Sequence, residues 1–127
     1  MRNIELVLVV EDDPISSYVI NLALRQHEAF LECVELRNGQ VAIDHLTENG
    51  ENLPNLILLD INMPVMDGWD FLEKFSEMSV SKDIPVVMLT SSINPDDIEK
   101  AKSHKLVKGF LSKPLNKDKL DEVLTFI

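Results

Sequence analysis

The chain has 127 residues, 45% hydrophobic and 27% charged, with a formal net charge of −10. That length fits one domain with a sizeable core, and no apolar run reaches the ~18 residues that a membrane span needs. The acidic excess is local: residues 1–70 carry 3 basic and 13 acidic side chains, whereas residues 71–127 carry 9 of each. No basic stripe points to nucleic acid. The start, MRNIELVLVV, lacks a signal-peptide cleavage pattern, and the single Cys33 excludes an internal disulfide framework. Both features suit a reducing, cytoplasmic setting, with Cys33 as a small core residue on a strand.

In chain order, IELVLVV (4–10) reads as a strand rich in β-branched residues. Asp13 followed by Pro14 starts a helix, a side-chain cap and then proline at the first helical position. Ile15, Val19, Leu22 and Gln26, with Ala23 beside them, mark its spacing to about His27. LECVEL (31–36) is a second strand, and Val41, Ala42, His45 and Leu46 stripe a second helix. TENGENLPN is a polar loop, punctuated by Gly50 and Pro54. LILLD (56–60) is apolar on both faces, as in the centre of a parallel sheet.

Phe71, Leu72 and Phe75 place a third helix after Gly68. IPVVMLT (84–90) is a fourth strand, and Asn94–Pro95 opens a fourth helix whose apolar face, Ile98 and Ala101, is thin. KGFLSKP (108–114) is a short fifth strand, and Leu120, Val123 and Leu124 mark the last helix. Trp69 reads as partial core. His27, His45 and His104 read as solvated helix residues with no metal-ligand spacing. Strict βα alternation calls for a parallel sheet with helices on both faces and right-handed crossovers.

In such a sheet all strand C-termini share one edge, where ligand sites form. Here those ends carry Glu11 and Asp12, then Asp60, Thr90 and Lys113. Two like charges ~4 Å apart cost on the order of 4 kcal/mol at an effective dielectric of 20. Grouped carboxylates therefore call for a proton or a cation, and oxygen-only ligands open to water favour Mg²⁺. Acids, cation, hydroxyl and ammonium together suit a phosphoryl group, toward which a carboxylate can act as nucleophile.

VLVVEDDP, LILLDINMPVMDGWDFL, VVMLTSS and GFLSKP, in that order over essentially the whole chain, resemble the receiver domain of two-component response regulators. The resemblance implies a flavodoxin-like (βα)5 three-layer sandwich with strand order 2-1-3-4-5. It implies a phosphorylation-dependent signalling switch rather than a conventional enzyme. Asp60 would accept phosphate from a histidine kinase or histidine phosphotransfer protein, with Mg²⁺ or Mn²⁺ held by Glu11, Asp12, Asp60 and the Asn62 backbone carbonyl. Thr90 would be the switch hydroxyl, and Lys113 would pair with the phosphate and precede a cis peptide to Pro114. Phe110 would be the rotating aromatic. Asn62 and Ser92 would flank the hydrolytic water and tune phosphate lifetime.

The same resemblance places the output face on helix four, strand five and helix five, for a protein target or a phosphorylation-linked homodimer. Glu11 stands where the family more often has Asp, and Asp13 is explained by its helix cap. We expect one receiver domain over residues 1–127 without an output domain, a single-domain regulator or phosphorelay shuttle. The alternatives are a receiver belonging to a larger DNA-binding regulator or hybrid kinase, and a pseudo-receiver that only binds partners. A haloacid-dehalogenase-like phosphatase would want a second Asp where Asn62 stands, and a flavodoxin-type carrier would not place Glu11, Asp12 and Asp13 against a phosphate.

Overall fold

The computed structural model describes residues 3–48, 52–91 and 94–127. Strands β1 (Ile4–Val10), β2 (Phe30–Leu36), β3 (Leu56–Asp60), β4 (Val86–Thr90) and β5 (Val107–Ser112) alternate with five helices. These are α1 (Pro14–Gln26), α2 (Gly39–Glu48), α3 (Gly68–Ser76), α4 (Pro95–Ser103) and α5 (Lys117–Phe126). All neighbouring strands pair in parallel, in the order β2-β1-β3-β4-β5. The expected architecture is present; β1 and β3 have the expected bounds, and those of β2, β4 and β5 differ by one or two residues. A 3-10 turn at Ser79–Asp83, which the sequence reading left unassigned, leads into β4.

Side-chain alternation along the strands divides the core into two layers. Val7, Val9, Leu58, Val87 and Leu89 face α1 and α5, while Leu8, Val10, Ile57, Leu59 and Met88 face α2 and α3. Strands β3 and β4 are buried at every position, which is why their sequences are apolar on both faces. The helix starts are chemically explicit. Asp13 accepts the Ile15 N–H ahead of Pro14, Asp67 and Asp70 form a reciprocal capping box, and Asn94 accepts the Asp96 N–H.

One expectation, a solvated His27, is corrected, and the buried face of α1 is one its apolar spacing does not mark. The buried face of α1 is Ser17, Ile20 and Leu24, whereas Ile15 is 75% and Tyr18 65% exposed, with Leu22 beside them. The apolar spacing that marked the helix thus lies largely on its solvent side. His27 is buried rather than solvated: its Nδ1 accepts the Ala29 N–H and its Nε2 meets Asp121 of α5 at 2.7 Å. A backbone N–H donor and a carboxylate acceptor satisfy the two ring nitrogens, so burial is tolerable.

The β3–α3 connection holds one strained residue. Val65 has φ 69°, closing a three-residue turn in which the Met66 N–H donates to the Pro64 carbonyl at 2.7 Å, and its side chain is 98% exposed. A β-branched residue there costs backbone energy without any packing return. Val65→Gly should relieve more strain than it adds in chain entropy, raising stability by about 1 kcal/mol in thermal or denaturant unfolding.

Candidate functional site

The pairing of β1 with β3, Val10 opposite Leu59, places Glu11 next to Asp60 as both strands end. Glu11 is held by its own N–H to the Leu36 carbonyl, and the Lys113 N–H donates to the Thr90 carbonyl at 2.7 Å, tying the end of β5 to that of β4. Glu11, Asp12 and Asp60 each offer an oxygen within 4.8 Å of the others. Lys113 Nζ lies 2.6 Å from Glu11 Oε2 and 3.3 Å from Asp60 Oδ1. The other Glu11 oxygen accepts the Asp13 N–H at 3.2 Å. The longer arm of Glu11 therefore reaches the ammonium while staying anchored to the loop.

A cleft of about 350 Å³ opens over these groups, lined also by Asn62, Ser91 and Pro114, and flanked by Ile15 and Val19 of α1. Gly68 explains the rigidity of its floor. A Cβ there would stand 2.7 Å from the Asp60 carbonyl oxygen and 2.9 Å from Ile61 Cα, both backbone atoms, so the loop can fold this tightly only over glycine. The Gly68 N–H donates to the Ile61 carbonyl at 2.7 Å, completing the turn.

Asp60 and Glu11 are both buried, and burial pushes both carboxyls above their usual range. For Asp60 the Lys113 charge acts against that shift, Asp12 adds to it, and the Asn62 backbone N–H lowers it by bonding the carboxylate. For Glu11 the hydrogen bond from Lys113 is the main opposing effect, and Asp60 is a further raising one. One ammonium thus faces three carboxylates, an arrangement short of positive charge. The donor set is all oxygen and partly open to solvent, so Glu11, Asp12 and Asp60 fit a hard divalent cation such as Mg²⁺ or Mn²⁺.

Of the residues singled out from sequence, Glu11, Asp12, Asp60, Asn62 and Lys113 line this one cleft. Thr90 ends β4 and is buried. Phe110 is half-buried on β5 and lines a different cavity, of about 620 Å³, bounded by α4, β5 and α5. The Lys113–Pro114 bond is cis, as expected. Ser92 lies outside the described residues. Sequence reasoning missed the Asn62 N–H, because a backbone donor has no residue signature. It also missed Lys119, whose ammonium bonds the carbonyls of Ser112 and Pro114.

The family model of the response regulator receiver domain matches residues 7–125, and the chain belongs to that family. It is 35% identical over 115 residues to the probable methanogenesis regulatory protein FilR2 of Methanothrix harundinacea, covering 87% of this chain and 73% of that one. It is 38% identical over 98 residues to response regulator Rcp1 of Synechocystis sp., covering 74% and 67%. A solved Mn²⁺-bound form of Rcp1 superposes with a TM-score of 0.74 over 94% of this chain and 88% of that one, at 34% identity. A two-component response regulator from Cytophaga hutchinsonii superposes with a TM-score of 0.92 at 30% identity, covering 98% and 96%.

The carboxyl shifts make a stability prediction without added divalent cation. A carboxyl whose folded pKa is raised binds more protons in the native than in the unfolded state between the two values, so stability falls as pH rises through that window. The window opens near the ordinary values of 3.8 for Asp60 and 4.5 for Glu11 and extends upward. Asp60→Asn should raise the melting temperature at pH 7 and flatten its decline as pH rises above the ordinary carboxylate range. A native-like slope in the variant would mean that Asp60 is not under electrostatic stress.

Proposed function

We propose that this receiver domain is a phosphorylation switch that takes a phosphoryl group onto Asp60 from the phosphohistidine of a histidine kinase or phosphotransfer protein. The observation that carries this reading is the position of Asp60: a buried carboxylate at a rigid strand end, 3.3 Å from Lys113 Nζ and clustered with Glu11 and Asp12. An Asp60 oxygen attacks phosphorus, the P–N bond of the donor breaks with its electron pair passing to the nitrogen, and the imidazole departs neutral because its other ring nitrogen already carries a proton. A Mg²⁺ or Mn²⁺ ion held by Glu11, Asp12, Asp60 and the Asn62 carbonyl would neutralise charge on the transferred group, a reading the Mn²⁺-bound form of Rcp1 supports.

In this reading Lys113 leaves Glu11 for the new phosphoryl oxygens, and Thr90 supplies a hydroxyl to them. Phe110 turns on β5 in response and changes the face formed by α4, β5 and α5, which meets a protein target or a second copy. Asn62 and Ser92 tune how long the phosphate lasts. We read residues 1–127 as one receiver domain in a cytoplasmic pathway, with no direct nucleic-acid contact and no catalysis beyond its own phosphorylation and dephosphorylation. No helix among the described residues is long and apolar enough to cross a membrane.

Incubation with Mg²⁺ and acetyl phosphate should add one phosphoryl mass to the intact protein. The adduct should vanish in Asp60→Asn and on removal of the metal. No adduct on the native chain under any condition would sink the reading and leave a binding module. Saturation with Mg²⁺ at about 100 times its dissociation constant should stabilise the fold by about 2.7 kcal/mol, less in Asp12→Asn.

The donor's approach is marked by Ile15, Tyr18 and Leu22, an apolar stripe at i, i+3 and i+7 on α1 whose first member flanks the cleft. Tyr18→Ala should slow transfer from a phosphohistidine protein about tenfold more than transfer from acetyl phosphate, which needs no such docking. Equal slowing of both would remove the stripe from the docking surface.

A further inference from the structure

Lys119 stands where helix physics disfavours a cation. Asn116 caps α5 by accepting the Lys119 N–H at 2.9 Å, which places Lys119 at the third position of the first turn, beside the positive end of the helix dipole. An acidic residue is the usual choice at that position. Its ammonium is not left to solvent. It donates to the Ser112 carbonyl at 2.6 Å, to Ser112 Oγ at 3.3 Å and to the Pro114 carbonyl at 3.1 Å. Those two carbonyls belong to the residues immediately before and after Lys113.

We propose that Lys119 is a positioning residue for phosphoryl transfer, holding the backbone on both sides of Lys113 so that the Lys113 ammonium stays aimed at Glu11 and Asp60. The inference rests on the phosphoacceptor reading of Asp60. Strand β5 is the edge of the sheet, so one side of its backbone has no neighbouring strand to hold it. On its paired side the Lys113 N–H is fixed to the Thr90 carbonyl at 2.7 Å. Lys119 supplies the restraint after that last sheet contact, where the chain turns from β5 into α5. One cation gripping two carbonyls across a single residue fixes the direction in which Lys113 leaves the backbone.

Lys119 bonds none of the acids, so its loss reaches the site through the Ser112–Pro114 backbone that carries Lys113. Lys119 also lines the cavity bounded by α4, β5 and α5, together with Phe110 and Glu122. The grip therefore joins the end of the candidate site to the start of the helix that borders that cavity. A displacement at the start of α5 thus reaches the backbone of Lys113 through this side chain as well as through the short segment 114–116.

The test is a double-mutant cycle on the full chain, reading the rate of Asp60 phosphorylation by acetyl phosphate with Mg²⁺. Lys119→Met keeps the aliphatic stem and removes the donors; misplacing a reacting group slows such steps steeply, and the expected loss is about tenfold. Lys119→Arg, which retains donors and charge, should restore most of the rate. In a Lys113→Met background, Lys119→Met should produce no further loss, because the group it aims is gone. A native rate in Lys119→Met, or losses that multiply in the double variant, would overturn the proposal, since a merely structural lysine slows both backgrounds alike. Should Lys119→Met fail to give a native melting transition, Lys119→Gln takes its place in the cycle. Absence of any adduct on the native chain would instead overturn the phosphoacceptor reading itself.

Discussion

The structure is organised around an electrostatic imbalance that the fold holds in place. Three carboxylates converge where β1 and β3 end, and one ammonium, Lys113, opposes them. In water such groups would separate. Here Asp60 sits on a strand buried at every position, Glu11 is pinned by backbone bonds on both sides, and the turn over Asp60 closes on Gly68, where no side chain fits. The apolar strands thus hold polar groups at fixed spacing, at a cost in stability that a cation or an arriving anion with its counterion can offset.

The parallel sheet makes this arrangement possible. Because every strand runs the same way, residues distant in sequence emerge at one edge, and each is aimed by a different strand. Lys113 is the most demanding case, since β5 is an edge strand with a neighbour on one side only. Its placement combines a sheet bond to Thr90, ion pairs to Glu11 and Asp60, and the grip of Lys119 on the carbonyls around it. These restraints come from β4, from the β1 and β3 ends, and from α5, so the geometry of one ammonium reports on most of the fold.

What the sequence made legible was whatever has a local chemical signature. Apolar runs ending on acids identified β1 and β3, and Asp13–Pro14 and Asn94–Pro95 identified helix starts, the latter borne out by the cap geometry. The family motifs led to the cleft residues. The failures share a cause: they concern partners rather than patterns. On α1 the core-facing side contains Ser17, while Ile15, Tyr18 and Leu22 face out, so the apolar spacing that identifies the helix does not identify its buried face. His27 looked polar and solvated because its partners, the Ala29 N–H and Asp121, lie in a loop backbone and a helix nearly a hundred residues away. Lys119 is invisible for the same reason, since its acceptors are backbone carbonyls.

Helix α4 shows how unevenly the fold is fastened. Ala101 is its one fully buried residue, and its first turn is acidic while its last carries Lys100 and Lys102, so dipole and capping support it locally. Lys100 Nζ sits 4.6 Å from the centre of the Trp69 ring on α3, a cation–π contact that adds about 0.5–1 kcal/mol at an exposed site. By contrast, α3 buries Phe71, Leu72 and Phe75 against the sheet. An element held by one small apolar residue and one exposed cation–π pair shifts at far lower cost than one held by two phenyl rings and a leucine. The cavity lined by Phe110 lies along this weakly held helix. A rearrangement at the strand ends would therefore be accommodated first at α4, while the α3 side of the sheet keeps the acids in register.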